Sequence, residues 1–156
     1  MRPDVPPIPT FFAPLPGDCE SLYERLAHVV REDGIALKEE ETYGQGYSAK
    51  GRIGIKIGLD STSRFLTLVH EYVHELLHAH SKLEKKTKEC QAEATSYIVA
   101  HHFGIHNPYS ADYLHTWGND EKALLDELDT VQKTAAKIIH KIEESSPDAL
   151  TSDQAA

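Results

Sequence analysis

Cysteine is scarce in this 156-residue chain, with Cys19 and Cys90 the only two. A disulfide framework and a zinc ribbon built on thiolates are therefore excluded. No apolar run approaches the roughly 18 residues that a membrane helix needs, so no span is expected. The opening MRPDVPPIPT has no apolar stretch of signal-peptide length, which sets the expectation of a cytoplasmic protein. Positive charge is in deficit too: 16 Lys and Arg stand against 25 Asp and Glu, leaving a formal charge of −9. Bulk attraction to DNA or anionic lipid is thereby disfavoured, and neither a nucleic-acid nor a membrane partner is expected. The remaining composition, 40% hydrophobic and 26% charged, supports one domain with a real core. Histidine runs against the general thrift. There are ten, and several crowd into Val69–His80.

Pro3, Pro6, Pro7, Pro9, Pro14 and Pro16 stiffen residues 1–17, which read as an extended arm or linker. A domain over residues 18–144 follows, then a tail over 145–156 expected to be disordered. Asp18 is placed to cap a helix running to about Asp33, with Leu22, Leu26, Val29 and Val30 on one face and Gly34 as its stop. Ile35–Thr42 reads as a short strand, Tyr43 to Gly46 as a turn, and Tyr47–Leu59 as further strand. In that last segment Ile53, Ile55 and Ile57 alternate with small or charged residues, and Gly54 and Gly58 weaken the strand or mark a close approach. Asp60 to Ser63 offers caps for a helix over about Ser63–Ser81. A basic link precedes a second helix over about Lys88–Phe103, stopped at Gly104. Ser110 caps a short helix through Trp117, a packing anchor. The final helix, Glu121–Glu144, carries Leu124, Leu128, Val131, Ala135, Ile138 and Ile142 along one stripe, a spacing that favours packing on a core over a dimer coil.

The chemistry concentrates in LTLVHEYVHELLH, which contains H-E-x-x-H. Residues four apart on a helix share a face, so His70 and His74 can direct imidazole nitrogens at one divalent ion. Glu71 lies about 100° round the helix, within reach of a water held on that ion, and is placed to act as general base. The pattern occurs twice, as His70/Glu71/His74 and as His74/Glu75/His78. His78 lies about 12 Å along the axis from His70, too far for three ordinary ligands of one tetrahedral site. The first frame is preferred because Leu66, Val69 and Val73 give it the drier surround. A third ligand must come from elsewhere. Glu93, nineteen residues after His74 and flanked by Ala92 and Ala94, is the expected one. Glu89, one turn earlier on the same face, reads as a supporting or solvent-facing carboxylate. Tyr97, His101, His102, Tyr113 and His115 are candidates for steadying a developing oxyanion, none of them favoured. Cys90 reads as a buried small residue turned away from Glu93.

These residues resemble a zincin metallopeptidase. The segments LYERLAHVVREDGI, GRIGIKIGL, TLVHEYVHELLHAH, KECQAEATSYIVAHHFGI and SADYLHTWGNDEKAL are similar to the ImmA/IrrE family. They most resemble the metallopeptidase half of ArdC-type antirestriction proteins, over about Ser21–Lys141. Only HEYVH and QAEA carry specific chemistry. The resemblance implies a small α+β zincin-like fold, helical, with a short mixed or antiparallel sheet beside the HExxH helix. It implies one Zn²⁺ at His70, His74 and Glu93, with Glu71 as general base, and an extended peptide received by the Ile53–Leu59 strand. Many gluzincins place a carboxylate one turn past the third ligand to orient a histidine, and Tyr97 stands there in this chain. The separate single-stranded-DNA-binding region of ArdC-type proteins has no counterpart among the segments matched, so DNA binding is not implied. The function expected is a zinc-dependent endopeptidase acting on a protein partner such as a helix-turn-helix repressor. The alternative is a non-catalytic zincin-fold module that acts by binding a partner.

Overall fold

A computed structural model describes residues 19–79, 81–105 and 121–145. The expected proline-rich arm, the Ser110–Trp117 helix, Tyr113, His115 and the tail from 146 onward lie outside them. The fold is a small α+β domain. Among the described residues, four helices and one three-stranded mixed sheet follow the order α1 (Cys19–Glu32), β1 (Ala36–Glu40), β2 (Gly46–Ser48), β3 (Arg52–Lys56), α2 (Ser61–Val73), α3 (Lys85–His102) and α4 (Glu121–Glu144). The last turn of α2 widens into a π-helical turn over His74–His78. No described helix is long and apolar enough to cross a membrane.

The apolar spacing fixes how these elements meet. Leu22, Leu26 and Val30 of α1, and Phe65, Leu68, Val69, Tyr72 and Val73 of α2, close on one core with Ile53 and Ile55 of β3. The α4 stripe supplies Ala135, Ile138 and Ile142, all fully buried, and rests on α1 and α3. That is the core-packing use of the stripe. Helix α2 is the hub, packed on α1, α3 and the sheet. Its start is set by Asp60, whose carboxylate accepts the Ser63 N–H at 2.7 Å. Tyr72 donates a hydrogen bond to the Asp33 carboxylate, which Lys141 of α4 approaches at 3.1 Å, so one polar cluster ties α1, α2 and α4.

The partial burial of Asp33 would raise its carboxyl, but the bonds from Tyr72 and Lys141 outweigh this and hold it below its ordinary value. A lowered folded value means the stabilisation is present at neutral pH and is lost as pH falls from the usual carboxylate range through that lowered value. Tyr72→Phe is expected to cost about 1 kcal/mol at neutral pH. It should also flatten the acid limb of a stability-against-pH curve measured by urea unfolding. An acid limb as steep as the parent's would remove Tyr72 from that role.

The sheet order is β1-β3-β2, with β1 parallel and β2 antiparallel to β3. Two expectations are corrected by it. First, the strand around Ile53 is central and paired on both edges, so it cannot receive another chain. The edge strands are β1 and β2. Second, the alternation does not reach Ile57: β3 ends at Lys56, and Ile57 is 53% exposed. The chain must turn there, through Gly58 at φ +91°, to deliver Asp60 to its cap. Gly54 marks a close approach. A Cβ there would run into the Tyr47 ring, which covers the sheet opposite Ile53 and Ile55 while its hydroxyl donates to Glu40 at 2.7 Å. Gly54→Ala should therefore cost about 1–3 kcal/mol by overpacking. Most of that loss should be recovered in a Tyr47→Ala background; an equal loss in both backgrounds by denaturant titration would remove the steric cause.

Candidate metal centre

Helix α2 and helix α3 form a hairpin whose register brings the ionisable groups together. The π turn ends at His78 and α3 begins at Lys85, three residues earlier than expected. His74 lies four residues before the first point and Glu89 four after the second; His70 and Glu93 lie eight before and eight after. With an equal rise per residue in each arm, His74 comes level with Glu89, and His70 with Glu93. The distances follow. The Glu89 carboxylate lies 3.0 Å from His70 Nε2 and 3.2 Å from His74 Nε2, and the two Nε2 atoms are 3.2 Å apart. Glu93 Oε1 lies 3.1 Å from Nδ1, the other nitrogen of His70.

His70, His74 and Glu89 thus bring one ligand atom each within 4.8 Å of one another. Two imidazole nitrogens and one carboxylate are a donor set suited to zinc, with a fourth position left for solvent or substrate. The residues present fit such an ion, because two imidazole nitrogens and one carboxylate oxygen converge on one point. Glu89, which the sequence suggested was peripheral, faces both imidazoles. Glu93, the expected third ligand, sits one turn further on at the outer nitrogen of His70. Burial opposes charging His70, but Glu89 and Glu93 outweigh it and push its imidazole up to about 10. Bonds from His70 and His74 hold the Glu89 carboxyl well below the usual carboxylate range.

Glu71 is only 9% exposed. Burial raises its carboxyl first of all, His70 and His74 act the other way, and Glu89 and Glu75 add to the rise. An elevated carboxylate that still reaches a cleft is the kind of group that shuttles protons. Glu75 is spoken for. It accepts hydrogen bonds from the Gly51 N–H at 2.6 Å and from the Ser48 hydroxyl, and so clamps the β2–β3 hairpin against the helix. His78 is buried and turns inward, with Nδ1 2.7 Å from His74 Nδ1 and Nε2 2.5 Å from Gln91 Oε1. Burial lowers its imidazole, and the bond to Gln91 opposes this. In the second H-E-x-x-H frame, therefore, the acid bonds the β2–β3 hairpin and the second histidine bonds Gln91, and neither belongs to the His70–His74–Glu89 cluster.

Two hollows of about 840 and 690 Å³ meet at Gly46, His70 and Glu71, making one groove past the centre. The edge strand β2 forms its wall through Gly46 and Ser48. Tyr97 stacks on His101 with ring centres 6.1 Å apart, and His102 pairs with Glu143 of α4 at 3.0 Å; none of the three is among the residues bordering the groove. Cys90 is buried and, like Cys19, forms no disulfide. Gln91 and Glu127 escaped the sequence reading altogether. A neutral amide and a carboxylate thirty-six residues apart carry no local pattern, and only the one-turn spacing of Glu89 and Glu93 hinted that both acids serve the site.

Searches against protein-family models, curated proteins and solved structures found no match to this chain.

Proposed function

We propose that the chain is a cytoplasmic zinc-dependent endopeptidase that hydrolyses peptide bonds of a protein partner. His70, His74 and Glu89 would hold one ion, Glu93 would orient His70, and Glu71 would act as general base. The observation that carries this reading is the convergence of two Nε2 atoms and one carboxylate beside a buried acid, at the floor of a groove walled by a free strand edge. The likeness of HEYVH to the ImmA/IrrE family supports the same reading. Assigning the third ligand to Glu89 departs from that resemblance, which puts it at Glu93; Glu93 instead lies at His70 Nδ1, where it could orient the imidazole.

Bound zinc would supply a Lewis acid for the scissile carbonyl and acidify a water to near neutrality. The chain's own residues would do the rest. The edge of β2 would align an extended peptide by backbone pairing along Gly46–Ser48. Glu71 would take the proton of the attacking water and return it to the departing amine, so that one water is consumed and an acid and an amine leave. Lys50, Lys85 and Lys88 border the larger hollow, which favours acidic side chains on that side of the cleaved bond. Peptides with Asp or Glu there should be cut faster than their amide counterparts. Lys88→Glu should shrink the difference, and equal rates for both peptide sets would remove the lysines from selection.

A helix-turn-helix repressor is the partner the resemblance suggests. The direct test is incubation of zinc-loaded protein with such repressors, read by mass spectrometry of the fragments. Fragments that disappear on chelation support the peptidase. An intact repressor held in a stable complex would favour instead the non-catalytic binding module.

A further inference from the structure

Three ligands and a base do not account for His78, Gln91 and Glu127. They run in a line from the metal centre to α4. Glu127 accepts a hydrogen bond from the Gln91 amide, Gln91 Oε1 lies 2.5 Å from His78 Nε2, and His78 Nδ1 lies 2.7 Å from His74 Nδ1. His78 and Gln91 are 7% and 4% exposed, so water does not compete for these bonds.

We propose that Glu127, Gln91 and His78 form a relay of hydrogen bonds that fixes the tautomer of His74 and aims its Nε2 lone pair at the ion. The direction of each bond follows from which groups can donate. A carboxylate only accepts, so Gln91 must turn its NH₂ toward Glu127. That leaves the amide oxygen facing His78, which must donate from Nε2–H. A neutral imidazole with its proton on Nε2 has a lone pair on Nδ1. His74 must then donate from Nδ1–H, which leaves its Nε2 as the nitrogen that can give up its proton and offer a lone pair to an ion. The other imidazole reaches the same state by a shorter route, since Glu93 accepts from His70 Nδ1–H directly. The π turn makes the longer route available, because its wider winding sets His78 against His74, with ring centres 4.9 Å apart. His78 is thus a positioning residue and not a ligand.

The inference rests on the metal reading, and the experiment separates the two. In the metal-free protein at mildly alkaline pH, ¹⁵N NMR should find His78 with its proton on Nε2; a proton on Nδ1 overturns the relay without reference to any metal. Zinc affinity is then measured by chelator competition in His78→Phe, which keeps bulk and loses the acceptor, and in His78→Gln, whose amide oxygen can still accept from His74. Circular dichroism confirms folding. His78→Phe should bind zinc about 10–100-fold more weakly than the parent, and His78→Gln should recover most of the loss. Parent-like affinity in His78→Phe overturns the relay, and so does a His78→Gln protein as weak as His78→Phe. Should His78→Phe fail to fold, the tautomer and His78→Gln decide. A parent that binds no zinc overturns the metal centre itself, and with it the purpose of the relay, whatever tautomer His78 adopts.

Discussion

Glu71→Gln is expected to bind zinc as tightly as the parent and to lose peptide hydrolysis by about 10²–10⁴-fold. The substitution keeps the shape of a side chain that is nearly buried at the junction of two hollows and removes only its capacity to hold a proton. Glu71 is not one of the three groups whose ligand atoms converge, so the variant should still hold the metal. The pairing of the two measurements is what discriminates. Loss of both metal and turnover would make Glu71 a structural member of the centre, whereas turnover that persists in a folded, zinc-loaded variant would sink the proposed mechanism.

The second large effect separates two acids one turn apart. Glu89→Ala removes the carboxylate that faces both Nε2 atoms and should abolish stoichiometric zinc binding. Glu93→Ala removes only the group on His70 Nδ1 and should weaken binding by about 10–100-fold while leaving one ion per chain at saturating zinc. Elemental analysis after dialysis and competitive titration give the two readouts. If Glu93→Ala empties the site and Glu89→Ala does not, the ligand assignment reverts to Glu93.

This contrast also marks where the sequence stopped being legible. The approach of His70 to His74 could be read directly, because a four-residue spacing on one helix needs no knowledge of anything else. The α4 stripe and the Asp60 cap were legible for the same reason, each being a local pattern with a physical cause. The choice between the two acids of α3 was harder to read, because it depends on how α3 runs beside α2. The spacing from His74 and the small neighbours Ala92 and Ala94 pointed to Glu93, whereas with α3 starting at Lys85 it is Glu89 that faces both imidazoles. Strand order was likewise hidden. Ile53 and Ile55 announce a strand with a buried face, but nothing in their alternation tells whether it lies at the middle or the edge of the sheet. The π turn at His74–His78 left no trace in a hydrophobic pattern that also suits an ordinary helix.

The tie between Gln91 and Glu127 has a consequence for biogenesis. Helix α4 is also seated through Ile138 and Ile142, so α2 and α3 emerging from the ribosome ahead of it would carry their histidines without the distal anchor. On the proposed reading, a nascent chain arrested before Glu127 would hold zinc loosely, and the proposed hydrolysis would be gained only once α4 has been made and has closed over α1 and α3.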